Sequence, residues 1–211
     1  MKRWITGIVL LAATIMAFAT TGDKFDYYIL SLSWTPSWCA EAGDARNAGQ
    51  CAAGRGYGFT LHGLWPQYER GGWPADCTSN TETPSTAEIS AIADIMGDAG
   101  LARYEWRKHG TCTGLSPQDY FTASRQAYDA VVRPETLRHR GGSGHANPED
   151  IEAAFLSANP RLQPDQITVT CKAGRIQEVR ICLTKDLRWR DCAPDTRRDC
   201  TLSGAGFAPI R

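Results

Sequence analysis

Apolar residues recur at every second position in two early stretches of the chain. In FDYYILSLSW (25–34), Tyr28, Leu30, Leu32 and Trp34 fall on one side and smaller or polar groups on the other, which predicts a half-buried strand. YGFTLHGLW (57–65) alternates too. Its apolar set is Tyr57, Phe59 and Leu61, so Thr60 and His62 face the opposite way. Helical spacing appears in three places. Ser85 with Glu88 makes a capping box ahead of Ile89, Ile92 and Met96; Ser116-Pro117 opens a run with Phe121, Tyr128 and Val131; Asn147-Pro148 precedes Ile151, Ala154 and Phe155. From Ile167 the period returns to two, in ITVTC and then at Val179, Ile181 and Leu183. Strands and helices are mixed without regular alternation, and the C-terminal strands are spaced like a hairpin. The expected class is therefore α+β, a central antiparallel sheet flanked by helices. Residues 139–148 (HRGGSGHANP) read as a polar, glycine-rich loop, with His139 and His145 exposed.

Residues 1–19 stand outside this pattern. Lys2 and Arg3, an apolar stretch from Trp4 to Phe18 and the small-x-small triplet Ala17-Phe18-Ala19 read as a secretion signal. The competing reading, an uncleaved membrane anchor, needs about 20 apolar residues. Cleavage after Ala19 leaves 211 − 19 = 192 residues, one disulfide-stabilised domain over 20–211. The expected destination is export, periplasmic or secreted, with no membrane association once the signal is gone. Without Lys2 and Arg3 the 23 basic residues become 21 against 23 acidic ones, a formal charge of −2. A polyanion would have to be held by a local cluster. Eight cysteines in an exported chain predict four disulfides. Cys39, Cys51, Cys77, Cys112, Cys171, Cys182, Cys192 and Cys200 include no C-x-x-C pair, which argues against a structural zinc site.

YEWRKHGTC (104–112) carries the second histidine with chemistry around it. If 101–109 is helical, Glu105, Lys108 and His109 share a face and Trp106 turns inward. Such a triplet alone reads as a solvated, salt-bridged surface. Beside His62 it reads differently. Two imidazoles and a cation suit cleavage of a phosphodiester next to a free hydroxyl. One neutral ring takes the 2′-hydroxyl proton, one imidazolium protonates the leaving 5′-oxygen, and the cation stabilises the phosphorane. That chemistry needs no metal and no cofactor.

FTLHGLWPQ and EWRKHGTC resemble the two active-site segments of the ribonuclease T2 family, exported, disulfide-rich, metal-independent endoribonucleases with an α+β fold. Looser similarity spans the mature chain: Trp34-x4-Cys39, WPADC after the first motif, and four cysteines near the end. The resemblance implies that His109 is the general base, His62 the general acid, and Glu105 and Lys108 the pair that polarises and stabilises the phosphate. Trp65 matches a tryptophan supporting the site, equally compatible with packing under His62. Single-stranded RNA would be cut to 2′,3′-cyclic phosphates and then hydrolysed to 3′-phosphates, with DNA left intact, by a monomer. The resemblance further implies a disulfide between Cys77 and Cys112, with Cys39–Cys51 and a nested Cys171–Cys200 and Cys182–Cys192 expected beside it.

Two positions depart from the family pattern. Tyr104 stands where many members have a phosphate-binding histidine, leaving open whether it contacts phosphate or packs in the core. Gln67 stands where some have an acid that helps choose the base. With Gln67 there, broad base tolerance is expected, with Trp73 and Trp38 as stacking platforms. A binding module that holds RNA without cutting it would explain the cysteines and aromatics, though not both histidines in register with Glu105 and Lys108. A metal-dependent hydrolase ligated by His62, Glu105 and His109 would place Lys108 beside the cation.

Overall fold

The computed structural model describes residues 25–78, 80, 82–139 and 144–211; the expected secretion signal lies outside them. Strand β1 (Tyr27–Trp34) pairs antiparallel with β2 (Phe59–Gln67) on one side and with β5 (Arg175–Leu183) on the other. Beyond these, β4 (Ile167–Lys172) pairs antiparallel with β5. Two short pieces complete the sheet: β6 (Ala205–Gly206) runs parallel to β5 at Arg175 and pairs with β3 (His145–Ala146). The helices are α1 (Thr35–Trp38), α2 (Thr86–Met96), α3 (Ala99–Lys108), α4 (Pro117–Asp129), α5 (Glu135–His139) and α6 (Pro148–Ala158). The class is α+β, in a single domain closed by four disulfides.

The helix ends follow from local chemistry. Ser85 Oγ accepts the Glu88 N–H at 3.2 Å and Glu88 Oε2 accepts the Ser85 N–H at 2.6 Å, so both limbs of the capping box form. α2 stops at Gly97, whose φ of 81° needs a residue without a side chain. Asp98 caps α3 by accepting the Leu101 N–H at 2.7 Å. That cap starts α3 at Ala99, two residues before the expected start. Its last helical residue is Lys108; His109, with φ −120°, has left the helix although its N–H still reaches Glu105 O at 2.9 Å.

One face of the sheet carries the main core. Leu30, Leu32, Leu61, Leu64, Val179 and Ile181 are fully buried there beneath Ile89 and Ile92 of α2, Trp106 of α3 and Tyr120 of α4. Each such leucine contributes about 2 kcal/mol by leaving water. α4 also holds β2 by its tyrosines: Tyr120 donates to Leu64 O at 3.1 Å and Tyr128 to Phe59 O at 3.2 Å. The expectation that β1 is only half buried is corrected. Tyr27, Ile29 and Ser31, on its second face, are also buried. The C-terminal segment causes this: Cys192 and Ala193, tied to β5 by Cys182–Cys192, pack over Tyr27 and Ile29.

The four disulfides join Cys39 to Cys51, Cys77 to Cys112, Cys171 to Cys200 and Cys182 to Cys192, all as expected. Of the expected polar loop at 139–148, the described residues at either end belong to regular elements. Residue His139 ends α5, its side chain lying outside the described residues as do residues 140–143, and His145 is exposed but belongs to β3.

Candidate active site

The position of His62 depends on a fault in the β1–β2 ladder. Leu32 lies opposite Leu61 and Ser31 opposite Gly63, so His62 is an inserted residue with no partner on β1. Unbroken alternation from Leu61 would turn Leu64 out of the core together with His62. The bulge restores Leu64 to the core and leaves His62, Trp65 and Gln67 on the second face.

Across that face His62 meets a residue that sequence reasoning missed. Ser33 lies opposite Glu178 and Ser31 opposite Arg180, so at these two positions β1 presents small side chains between β2 and β5. His62 Nδ1 reaches over them to Glu178 Oε1 at 2.5 Å. The other oxygen of Glu178 accepts from Arg180 Nε at 2.9 Å and Nη2 at 2.7 Å. Glu178 is 1% exposed. Burial pushes its carboxyl up, but the hydrogen bond and charge of His62 and the Arg180 guanidinium overcome this and hold it down at about 2. An ionised carboxylate only accepts, so Nδ1 of His62 is the donor and Nε2 is left for other work. Alternation did place Glu178 and Arg180 opposite Val179 and Ile181; nothing local distinguished that face from solvent.

β2 is an edge strand of the sheet, and α3 packs beside it. Glu105, 1% exposed, accepts the Trp65 indole N–H at 2.6 Å and lies 3.6 Å from His62 Nε2. Gly63 makes this approach possible, since a Cβ there would stand 2.1 Å from Glu105 Oε2 and 2.4 Å from Trp65 Nε1. The glycine of HGLWP is thus a consequence of the glutamate forty-two residues later. Gly110 has a similar use, as a Cβ there would meet the Trp106 ring at 2.3 Å. The Trp65 ring stacks on His109 with centroids 5.4 Å apart and meets His62 edge-on at 5.1 Å. It therefore contacts both imidazoles.

The two rings feel opposite fields. Burial disfavours the His62 imidazolium, but the Glu178 hydrogen bond and then the Glu178 and Glu105 charges outweigh burial and Arg180, so its pKa is raised above the ordinary imidazole value. Burial, aided by the charges of Lys108 and His62, pushes His109 down to about 3. His109 Nδ1 is buried without a hydrogen-bond partner among the described residues, which leaves Nε2 as its working atom. Glu105 is pushed up to about 7, by burial first, against the lowering effects of His62, the Trp65 hydrogen bond and Lys108.

A cleft of about 310 Å³ collects most of the expected residues: His62, Trp65, Glu105, Lys108 and His109, with Gln67, Trp73 and Tyr104 around them. Tyr104 is 40% exposed, which excludes core packing, and its hydroxyl accepts from Lys108 Nζ at 2.9 Å. Trp73 is 55% exposed. Trp38 does not line this cleft. It lies against Gly43 beside the Cys39–Cys51 disulfide, because α1 leads the chain away from the site after β1. Besides Glu178 and Arg180, Asp195 and Thr196 of the C-terminal segment form a wall that sequence reasoning also missed.

The sequence model of the Ribonuclease T2 family matches residues 25–192. The chain belongs to the ribonuclease T2 family. A ribonuclease of Aeromonas hydrophila is 42% identical over 109 residues, 52% of this chain and 47% of that protein. The chain spans about half the length of that curated relative. In three dimensions it is similar to an RNase-related protein from Calystegia sepium, with a TM-score of 0.68 at 25% identity, covering 89% of this chain and 98% of that one. RNase NT, solved in complex with 5′-AMP, shares the T2 fold at 22% identity, with a TM-score of 0.65 over 90% of this chain and 100% of that one.

Proposed function

We propose that the protein is an endoribonuclease that cuts single-stranded RNA by transphosphorylation, without a metal or cofactor. The observation that carries this reading is the pair of imidazoles that both contact Trp65, one held by carboxylates and the other buried beside an ammonium. A proton acid and a proton base of the same residue type are thereby separated by environment, as the reaction requires. His109, neutral, takes the 2′-hydroxyl proton at Nε2. The freed oxygen attacks phosphorus, and His62 delivers its Nε2 proton to the departing 5′-oxygen. Lys108 stabilises the dianionic phosphorane, and Glu105, beside it and carrying its proton up to about pH 7, helps to polarise and position the phosphate. The product is a 2′,3′-cyclic phosphate with a free 5′-hydroxyl; water then opens the ring to a 3′-phosphate with the two histidine roles reversed.

Metal catalysis using His62, Glu105 and His109 as ligands is disfavoured by Lys108, whose charge lies next to Glu105. Base tolerance is broad in this reading. Trp73 offers a ring for stacking on any base, and the Gln67 amide is turned to its own backbone, donating to Pro66 O at 2.9 Å. Asp195 is engaged by the Gly72 N–H at 2.9 Å. A nucleotide complex such as that of RNase NT with 5′-AMP fits a site of this kind. Export as a monomer, to the periplasm or medium, is part of the same proposal; among the described residues no helix is long and apolar enough to cross a membrane.

Incubation of the purified protein with homopolymer RNAs and single-stranded DNA in excess EDTA tests the reading. Cyclic phosphate ends should appear first on all four RNAs, then 3′-phosphates, with DNA untouched. Loss of activity in EDTA, or equal cutting of DNA, removes the mechanism.

A further inference from the structure

The catalytic scheme uses His62 but assigns nothing to the carboxylate behind it. Glu178 comes from β5, two strands away, and is as buried as a core leucine. Burying an ionised carboxylate costs several kcal/mol unless its partners are in place, so a purely structural position would be better served by an apolar side chain. Both oxygens are committed, one to His62 and the other to two nitrogens of Arg180. Arg180 itself is braced, its guanidinium lying 5.3 Å from the Trp65 ring centre. The charged groups acting on His62 are Glu178 and Arg180 from β5 and Glu105 from α3; the titratable His109 and the Lys108 ammonium lie in the same cleft.

We propose that Glu178, held by Arg180, is a positioning residue for the reaction. It accepts the Nδ1–H of His62, fixes that ring's orientation and tautomer, and keeps the Nε2–H directed into the cleft as the proton for the leaving oxygen. The inference rests on the ribonuclease reading and adds the source of the acid's competence. It also gives the two β5 residues opposite effects. Glu178 stabilises the imidazolium, whereas the Arg180 charge works against it while holding Glu178 in place.

The test measures the His62 midpoint by proton NMR, and the pH profile of kcat/KM on a dinucleotide, for the full chain and for Glu178→Gln and Arg180→Gln. With Glu178→Gln, Arg180 claims the amide oxygen and the amide N–H2 faces Nδ1. The His62 midpoint and the alkaline limb of the profile should then both move to lower pH, and kcat should fall at least ~10-fold with KM little changed. With Arg180→Gln the midpoint and limb should move to higher pH. Opposite signs are not produced by general loosening of the site. If Glu178→Gln fails to fold, Glu178→Asp replaces it, with a smaller fall in kcat and a smaller downward shift. An unchanged His62 midpoint overturns the proposal whether or not RNA is cut. So does a limb that stays in place while the midpoint moves. If the wild type cuts no RNA and Glu178→Gln still shifts the midpoint, the ribonuclease reading is overturned and with it the catalytic role, leaving the contact alone standing.

Discussion

The indole N–H of Trp65 donates to Oε2 of Glu105 at 2.6 Å, joining the edge strand that carries one imidazole to the helix that precedes the other. Because Glu105 is buried, losing that donor leaves a carboxylate oxygen unsatisfied, at a cost of about 1–3 kcal/mol. Trp65→Phe should therefore lower the unfolding free energy in urea by about that much. It should lower kcat and leave KM little changed, because the ring also contacts both imidazoles. A variant with full stability and full kcat would show that the bond contributes to neither.

The rate should depend on pH in a way ordinary histidines would not give. In the proposed mechanism the base, His109, is pushed down to about 3 and the acid, His62, is raised above the ordinary imidazole value, so kcat/KM should be high between those limits. The acid limb should fall well below the ordinary imidazole value and the alkaline limb above it. Rate profiles on a dinucleotide from pH 3 to 9 check this; two limbs close together near 6.5 would contradict it.

Stability should carry the mark of Glu105. Its carboxyl rises from 4.5 to about 7 on folding, so between those values the unfolded chain gives up the proton before the folded one does. Stability from this group is accordingly full below pH 4.5 and is lost as pH rises through 7, by about 3 kcal/mol at most. Glu105→Gln removes that slope. Urea titrations at pH 4.5 and 7.5 should show the variant gaining on the wild type with rising pH, even if it is less stable at the lower one.

Cys77 and Cys112 close a loop of thirty-five residues that includes α2 and α3, tying the segment after β2 to the turn beyond His109. Replacing both by Ser should cost about 4 kcal/mol. Activity should fall further than the unfolded fraction explains, because the tie sets the distance between the two motif segments. Unfolding curves and kcat on the same preparation separate the two effects.

Tyr104 gives the Lys108 ammonium a neutral acceptor at the mouth of the cleft. A histidine there would be charged below about pH 6.5 and would add a charge-assisted hydrogen bond to phosphate. Tyr104→His should lower KM at pH 5.5 and not at pH 7.5, with kcat nearly unchanged, the pattern of uniform binding. Lys108→Ala should instead lower kcat by ~10² or more. An unchanged KM at pH 5.5 would remove phosphate anchoring from this position.

Period-two spacing in 28–34 and 179–183 and the caps at Ser85 and Ser116 were legible in the sequence, because side-chain direction along a strand and orphan N–H groups at a helix start are local properties. The face of His62 was legible for the same reason, and the grouping of His62 with Glu105, Lys108 and His109 came from two short motifs. The bulge beneath His62 was not, since an inserted residue exists only relative to the strand opposite it. Nor was the partner of His62. Glu178 lies 116 residues away, and its carboxylate meets the ring only because sheet register sets Ser31 and Ser33 between them. The opposed fields on the two imidazoles, the burial of both faces of β1 and the separation of Trp38 from the cleft share that origin. Each depends on which surfaces are brought together when the C-terminal segment and α3 close on the sheet, and burial and long-range charge have no counterpart in local spacing.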